Sequence, residues 1–195
     1  MDIFYPKIPL AQLPAMIGYA GAGAVLAGLY GIVHDEITYS ISPEYFTRLK
    51  FFQFDYADFG LPPRLFVAEI GVLATWWVGF FAAWFLARIT VPAFPPRVAL
   101  RHTMRGFAVV FLFGLGAAIV GFVLGVVPGF RSDDAAWKDL ALALGVSDLP
   151  AFVRVAYIHN ASYLGGLIGL IVAIAHVWRL KRVAVTENRR IERTP

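Results

Sequence analysis

The chain has no cysteine and few charged residues. The absence of cysteine excludes a disulfide framework, a thiolate metal site and a thiol nucleophile. Charged residues make up only 15% of the 195 residues, whereas hydrophobic residues make up 59% and the mean hydropathy is +0.68. This composition excludes an ordinary soluble domain. The serines lie in no nucleophile-elbow motif and no glycine-rich phosphate loop occurs, so the sequence offers no compact catalytic motif.

Four long apolar stretches account for this composition. Each has about 20 residues or more, which is enough to cross a hydrocarbon core of roughly 30 Å. The sequence therefore predicts an all-α fold, an integral membrane four-helix bundle that forms a single domain. Its predicted spans are residues 13–33, 65–86, 106–127 and 151–177. An outer cap over 34–64 and a basic cytoplasmic tail over 178–195 complete the prediction.

Positive charge is unevenly distributed between the connecting segments. The N-terminal tail, the loop after the second span and the C-terminal tail hold eleven of the seventeen Lys and Arg residues, against three acids. The other two loops, with the start of the fourth span, hold six basic residues and nine acids. Because positively charged short loops stay in the cytoplasm, both termini are predicted inside. The distribution of the basic residues, and with it the net charge of +4, is thus explained by membrane topology and gives no indication of nucleic-acid binding. The expected partners are the lipid bilayer and other membrane subunits, with no nucleic acid.

The loop between the first two spans carries a helix signal of its own. Ser42, Pro43 and Glu44 are typical of a helix start, with serine as the N-cap and proline in the first position. Aromatic and basic residues follow, so we expect a short interfacial helix along the outer membrane surface. Glycine and proline over residues 60–63 then end any helix before the second span.

Small residues in the spans predict where helices approach closely. Gly21 and Gly28 lie two turns apart on one face of the first span, and G-x-x-x-G pairs occur at 121–125 and 165–169. Because small residues let membrane helices pack closely, spans one, three and four are expected to form the tight core.

Four ionisable side chains lie in or beside the spans near the predicted outer face: His34, Asp35, Glu69 and His159. Ionisable groups at membrane depth are costly and are therefore functional candidates. Two imidazoles with carboxylates suit zinc, iron or manganese, so these four residues are candidate ligands of a divalent metal, assembled across helices. In the alternative interpretation, Glu69 pairs with Arg154 or His159, and His34, Asp35 and Glu36 are solvated interface residues. Helix rise places His159 several ångströms below His34.

The second span has a broad aromatic face, formed by Trp76, Trp77, Phe80, Phe81 and Trp84. Tryptophan prefers membrane interfaces, so a tryptophan pair near mid-span is unusual. Two interpretations stay open. One is helix packing or lipid contact, and the other is a binding face for a flat apolar ligand such as a quinone, a carotenoid or another pigment.

The four histidines permit a haem hypothesis. His34 and His159 are near the predicted outer face, and His102 and His176 are near the inner face. Two bis-histidine haems in a four-helix bundle need such an arrangement. Against it, only the fourth span carries two histidines.

Three segments carry a resemblance to a known group of proteins. They are H-D-E-I-T at 34–38, E-Y-F-T at 44–47 and A-T-W-W-V-G at 74–79. Together they resemble a family of uncharacterised bacterial four-helix multi-pass membrane proteins, mainly over residues 30–80. The resemblance implies a multi-pass fold in a bacterial inner (cytoplasmic) membrane, and it implies no activity.

Three functions remain open at this point. An accessory or structural subunit of a larger membrane complex ranks first, because this function depends least on the weak motifs. A metal-dependent enzyme or proton-coupled protein with an outer-face histidine and carboxylate site is the alternative. A b-type haem electron carrier ranks third. Co-purifying partners, bound metal and a visible absorption spectrum distinguish the three.

Overall fold

The computed structural model describes residues 10–127 and 135–191, and within them it contains helices and no strand. A 3-10 turn at Leu10–Gln12 leads into the first long helix. The long helices are α1 (Leu13–Ile41), α2 (Pro63–Thr90) and α3 (Pro96–Val126), followed by the short α4 (Ala135–Ala143) and by α5 (Leu149–Ile191). Helical turns over Pro43–Tyr45, Phe46–Lys50 and Phe51–Gln53 form what we call the cap helix.

Four of these helices are long and apolar enough to cross a membrane, which indicates a membrane protein. The four stretches are Leu10–Ile41, Pro63–Thr90, Pro96–Val126 and Leu149–Thr186. The prediction of an all-helical chain with four such segments is therefore confirmed.

Proline sets most of the helix boundaries. Pro14, Pro63 and Pro96 lie in the first turn of α1, α2 and α3, where a missing N–H costs no hydrogen bond. The α1 helix ends where Ser42 turns extended ahead of Pro43, because the residue before proline disfavours helical geometry. As predicted, Ser42 is the N-cap of the cap helix, and its side chain accepts a hydrogen bond from the Tyr45 backbone N–H at 3.3 Å.

Two helices extend beyond their predicted spans. The α1 helix continues two turns past residue 33 to Ile41, because no glycine or proline interrupts it before Ser42. The H-D-E-I-T segment at 34–38 therefore lies inside α1 and not at the start of a loop. The α5 helix likewise continues to Ile191, so the segment from 178 to 191 is helical.

The long helices pack as two close pairs. In the first pair, Gly31 of α1 lies against the backbone of Gly71 of α2, and one further contact of this kind lies two turns away at Gly23 and Gly79. Ala27 and Thr75 lie halfway between these contacts and take part in them, so residues four apart on both helices form the small-xxx-small pattern of close membrane-helix contacts. The predicted grouping is wrong here, because span one packs mainly against span two.

The second pair consists of α3 and α5. Gly121 of α3 lies against the backbone of Tyr157, and Gly165 of α5 lies against the backbone of Phe113. The G-x-x-x-G pairs at 121–125 and 165–169 are therefore contact sites, whereas Gly21 has no atom within 4 Å of an added Cβ. Helices α1 and α5 share only a small contact.

Two apolar clusters join the pairs at opposite ends. At one end, Leu86 of α2 packs with Ala173 and Val177 of α5. At the other, Phe46 of the cap helix and Phe152 of α5 are fully buried in a cluster to which α2 and α4 also contribute. We call the latter the cap end of the molecule.

The carboxylate of Glu44 connects the cap helix to the start of α5 through hydrogen bonds. Its oxygens accept the backbone N–H groups of Ser147 and Asp148 at distances of 2.8 to 3.1 Å. Asp148 in turn accepts the N–H of Ala151 at 3.0 Å, as an N-cap does. Glu44 therefore satisfies donors beside a helix N-terminus, where negative charge is favourable.

We expect Glu44→Gln to destabilise the protein at neutral pH and to lose this effect in acid. The N–H donors of Asp148 and Ser147 lower the pKa of Glu44 below its usual 4.5. A carboxyl with a lowered pKa contributes stability that is present above its ordinary pKa and is lost as the pH falls through the folded value. The melting temperatures of wild type and Glu44→Gln, measured from pH 7 to pH 3, should converge at the acid end. The exposed Asp55→Asn is the control, and an equal gap at every pH would contradict the prediction.

Candidate metal centre at the cap end

Three of the four predicted metal ligands come together. Each of His34, Asp35 and His159 offers one ligand atom, and these atoms all lie within 4.8 Å of one another. The His159 Nε2 atom is 3.9 Å from Oδ1 of Asp35, and the rings of His34 and His159 have their centroids 4.7 Å apart. Asp35 and His159 are buried, with exposed fractions of 5% and 3%, whereas His34 is partly exposed.

The two imidazoles meet although they lie at different distances from their helix ends. Helix rise from the predicted span ends places His159 several ångströms below His34, and that difference in membrane depth stays a prediction. His34 lies about 10 Å before the end of α1 at Ile41, and His159 lies about 15 Å after the start of α5, yet their ring centroids are 4.7 Å apart. The two side chains therefore face each other across the small α1–α5 contact.

Glu69 does not join this group. Gly71 faces α1, and Glu69 is two residues earlier, about 200° around the helix from it. Its Oε2 atom is buried and has no hydrogen-bond partner in the described part of the chain. Within that part, no ion pair joins Glu69 to Arg154 or to His159, so the alternative pairing predicted from the sequence is not observed either.

Thr38 is a polar neighbour of the centre that sequence reasoning missed. Its hydroxyl donates to the backbone carbonyl of His34 at 3.0 Å and lies 3.2 Å from Nε2 of His159. Which of these two atoms donates depends on the tautomer of His159, and metal binding at Nε2 requires the tautomer that carries its proton on Nδ1. The sequence could have indicated this neighbour, because Thr38 follows His34 by four residues and shares its helix face.

Aromatic rings cover the centre on the cap side. The Tyr45 ring stacks on the His159 ring with centroids 5.1 Å apart and an interplanar angle of 28°, and Phe46 makes an edge contact with the same ring. The Phe51 backbone N–H donates to the carbonyl of Phe46, a π-helical turn in the cap helix. Single π-turns are frequent at functional sites, and this one brings both Tyr45 and Phe46 into the buried cluster.

Lys50 adds a positive charge from the cap helix. Its Nζ atom lies 6.0 Å from the ring centroid of Tyr45 and 5.8 Å from that of Phe54. Burial lowers the pKa of Lys50, and attraction to Asp35 opposes that shift. The Asp35 carboxylate thus has a cation nearby without a direct ion pair to it among the described contacts.

The predicted aromatic face lies on the outside of α2. Trp76, Trp77 and Phe81 are 46%, 50% and 50% exposed, and Phe80 stacks on Trp84 with parallel rings whose centroids are 6.5 Å apart. Beside Trp76, an apolar groove of about 310 Å³ runs between α1 and α2. These residues contact neither His34 nor His159 in any described ring pair, so the aromatic face and the histidine centre are separate features.

The haem hypothesis has a geometric difficulty at the cap end. A porphyrin must lie between its two axial imidazoles. The rings of His34 and His159 are already in contact, with centroids 4.7 Å apart, which leaves no room for a macrocycle between them.

Comparison of the chain with protein-family models, with curated proteins and with solved structures finds no match. The interpretation of the centre therefore depends on its own geometry.

Proposed function

We propose that this chain is a metal-dependent membrane enzyme whose centre binds one divalent transition metal through His34, Asp35 and His159. The observation that carries the proposal is the convergence of two imidazoles and one carboxylate within 4.8 Å of one another. Two histidines and one carboxylate are a ligand set that catalytic zinc and non-haem iron sites use, and they leave coordination positions open.

The burial of the centre supports the same proposal. A carboxylate is rarely buried unless it is paired or coordinates a metal, and Asp35 is only 5% exposed. A divalent ion at this position would supply Lewis-acid chemistry and would lower the pKa of bound water. The chain contributes the three ligands.

We further propose that the four long helices cross a bacterial inner (cytoplasmic) membrane as one bundle, with both termini in the cytoplasm and the cap end outside. The concentration of basic residues at the opposite end, for example Arg97, Arg101 and Arg105 at intervals of four on α3, supports this orientation.

A second proposal, an accessory subunit of a larger membrane complex, is favoured by a different observation. The α2 helix exposes Trp76, Trp77 and Phe81, which offer a large aromatic area to lipid or to another membrane subunit. The two proposals differ in what should remain bound to the purified chain.

One sizing run on protein gently extracted from its native membrane tests both proposals, with elemental analysis of the same peak. We expect about one zinc, iron or manganese ion per chain, and a small peak that contains this chain alone. A large peak with other polypeptides and no metal assigned to this chain would overturn the enzyme proposal in favour of the accessory one.

A further inference from the structure

The centre is closed on the cap side. Tyr45, Phe46 and Phe152 are 4%, 0% and 0% exposed, and the first two contact the His159 ring directly. Trp137 of α4 packs against Phe152 with ring centroids 6.3 Å apart. A water-soluble molecule that approaches from the cap end therefore meets a packed aromatic layer before it reaches Asp35 or His159.

The floor of the centre is closed as well. One turn further along both helices, the hydroxyls of Tyr30 and Ser162 are 3.2 Å apart. The Tyr30 ring contacts the His34 ring on one side and the Phe111 ring on the other, with centroid distances of 5.4 and 5.0 Å.

The remaining side lies along the small contact between α1 and α5. His34 is the ligand that is partly exposed, and its neighbours Val33 and Ile37 on α1 are both 58% exposed. On α5, Tyr163 is 47% and Leu164 is 59% exposed, and the centroid of the Tyr163 ring lies 6.2 Å from that of His159. All of these residues belong to the apolar segments that are long enough to span a membrane.

We infer that the centre takes a membrane-dissolved amphiphile, which enters sideways between α1 and α5 past Ile37 and Tyr163. Its polar end, with an oxygen or nitrogen donor, occupies the open position beside His34, and its apolar chain lies against the exposed aliphatic residues of the two helices. The exposed residues Val33, Ile37 and Leu164 are apolar and favour an apolar chain over a hydrated substrate, whereas the hydroxyl of Tyr163 can orient a donor group at the membrane-facing edge. This inference rests on the proposed metal centre.

The full chain in lipid nanodiscs, loaded with Co²⁺, allows a direct test. The probes are a long-chain alkyl hydroxamate and acetohydroxamate, which offer the same oxygen donors with and without an apolar chain, and the Co²⁺ absorption bands report binding. Ile37→Trp narrows the proposed entrance, and Ile119→Trp places the same side chain at an exposed position of α3 as the control.

We expect Ile37→Trp to weaken the binding of the long-chain hydroxamate by at least about tenfold relative to Ile119→Trp. The Co²⁺ affinity should be the same in both variants. Equal binding of the long-chain probe by both variants, or binding of acetohydroxamate at equally low concentration, would overturn the lateral entrance. Absence of Co²⁺ binding by the wild-type chain would instead overturn the metal centre itself, so the two failures are distinguishable.

Discussion

His159→Ala is expected to weaken the binding of a divalent metal by more than about 100-fold. Removing an outer-shell partner of a metal ligand already costs about 10- to 100-fold in affinity, and His159 is proposed as a ligand itself. Its Nε2 atom lies 3.9 Å from Asp35 Oδ1, so without the imidazole only His34 and Asp35 remain within reach. Titration of purified protein with Co²⁺, monitored by absorbance, measures the loss.

Two matched variants distinguish the loss of a metal ligand from a general effect of substitution on metal affinity. Asn160→Ala changes the next residue of α5, which is exposed, and should keep wild-type affinity. Glu69→Gln tests the fourth ligand that the sequence predicted, and because Glu69 is absent from the group of three it should also keep wild-type affinity. Equal Co²⁺ affinity in His159→Ala and wild type would contradict the proposed centre. A loss in Glu69→Gln as large as in His159→Ala would restore the four-residue prediction.

Gly31→Ala is expected to lower the melting temperature by about 2 to 12 °C. A Cβ at residue 31 meets the backbone carbonyl of Gly71 and the hydroxyl of Thr75, so the two helix backbones must separate. Overpacking of this kind typically costs about 1 to 3 kcal/mol, and in a chain of this length each kcal/mol changes the melting temperature by roughly 2 to 4 °C. The Thr75 hydroxyl also donates to the carbonyl of Ala27 at 2.8 Å, and separation would lengthen that hydrogen bond.

Gly21→Ala is the control on the same helix. An added Cβ at residue 21 meets no atom within 4 Å, and alanine favours the helix over glycine. Its melting temperature in the same detergent should therefore equal or slightly exceed that of the wild type. Equal melting temperatures for Gly31→Ala and wild type would contradict the close α1–α2 contact.

The close pairing of helices could be predicted from the sequence only in part. The G-x-x-x-G pairs of α3 and α5 pointed to the second pair because glycine supplied both positions. In α2 the contact positions are Gly71, Thr75 and Gly79, a mixed pattern that hydropathy and glycine spacing did not select. Gly21 and Gly28 share a face, yet Gly28 meets only the side chain of Val72 at 3.6 Å.

The sequence predicted which residues are candidates for the centre but not how they are arranged in space. His34, Asp35 and His159 stood out because ionisable groups are rare in apolar segments. Glu69 stood out for the same reason and lies elsewhere, since burial in a span does not determine the direction of a side chain around its helix. Tyr45 and Lys50 are ordinary residues in sequence, and only the folded cap helix brings them near the centre.

By itself, the sequence determined the four long apolar helices, the start of the cap helix at Ser42 and the segments where polar groups concentrate. These features depend on local composition, on the length of apolar stretches and on proline, all of which act within one helix. The tertiary structure decided which helices pair and which ionisable side chains meet. Those outcomes depend on how far α1 continues past residue 33 and on rotation around each helix axis, and contacts between residues distant in sequence settle both.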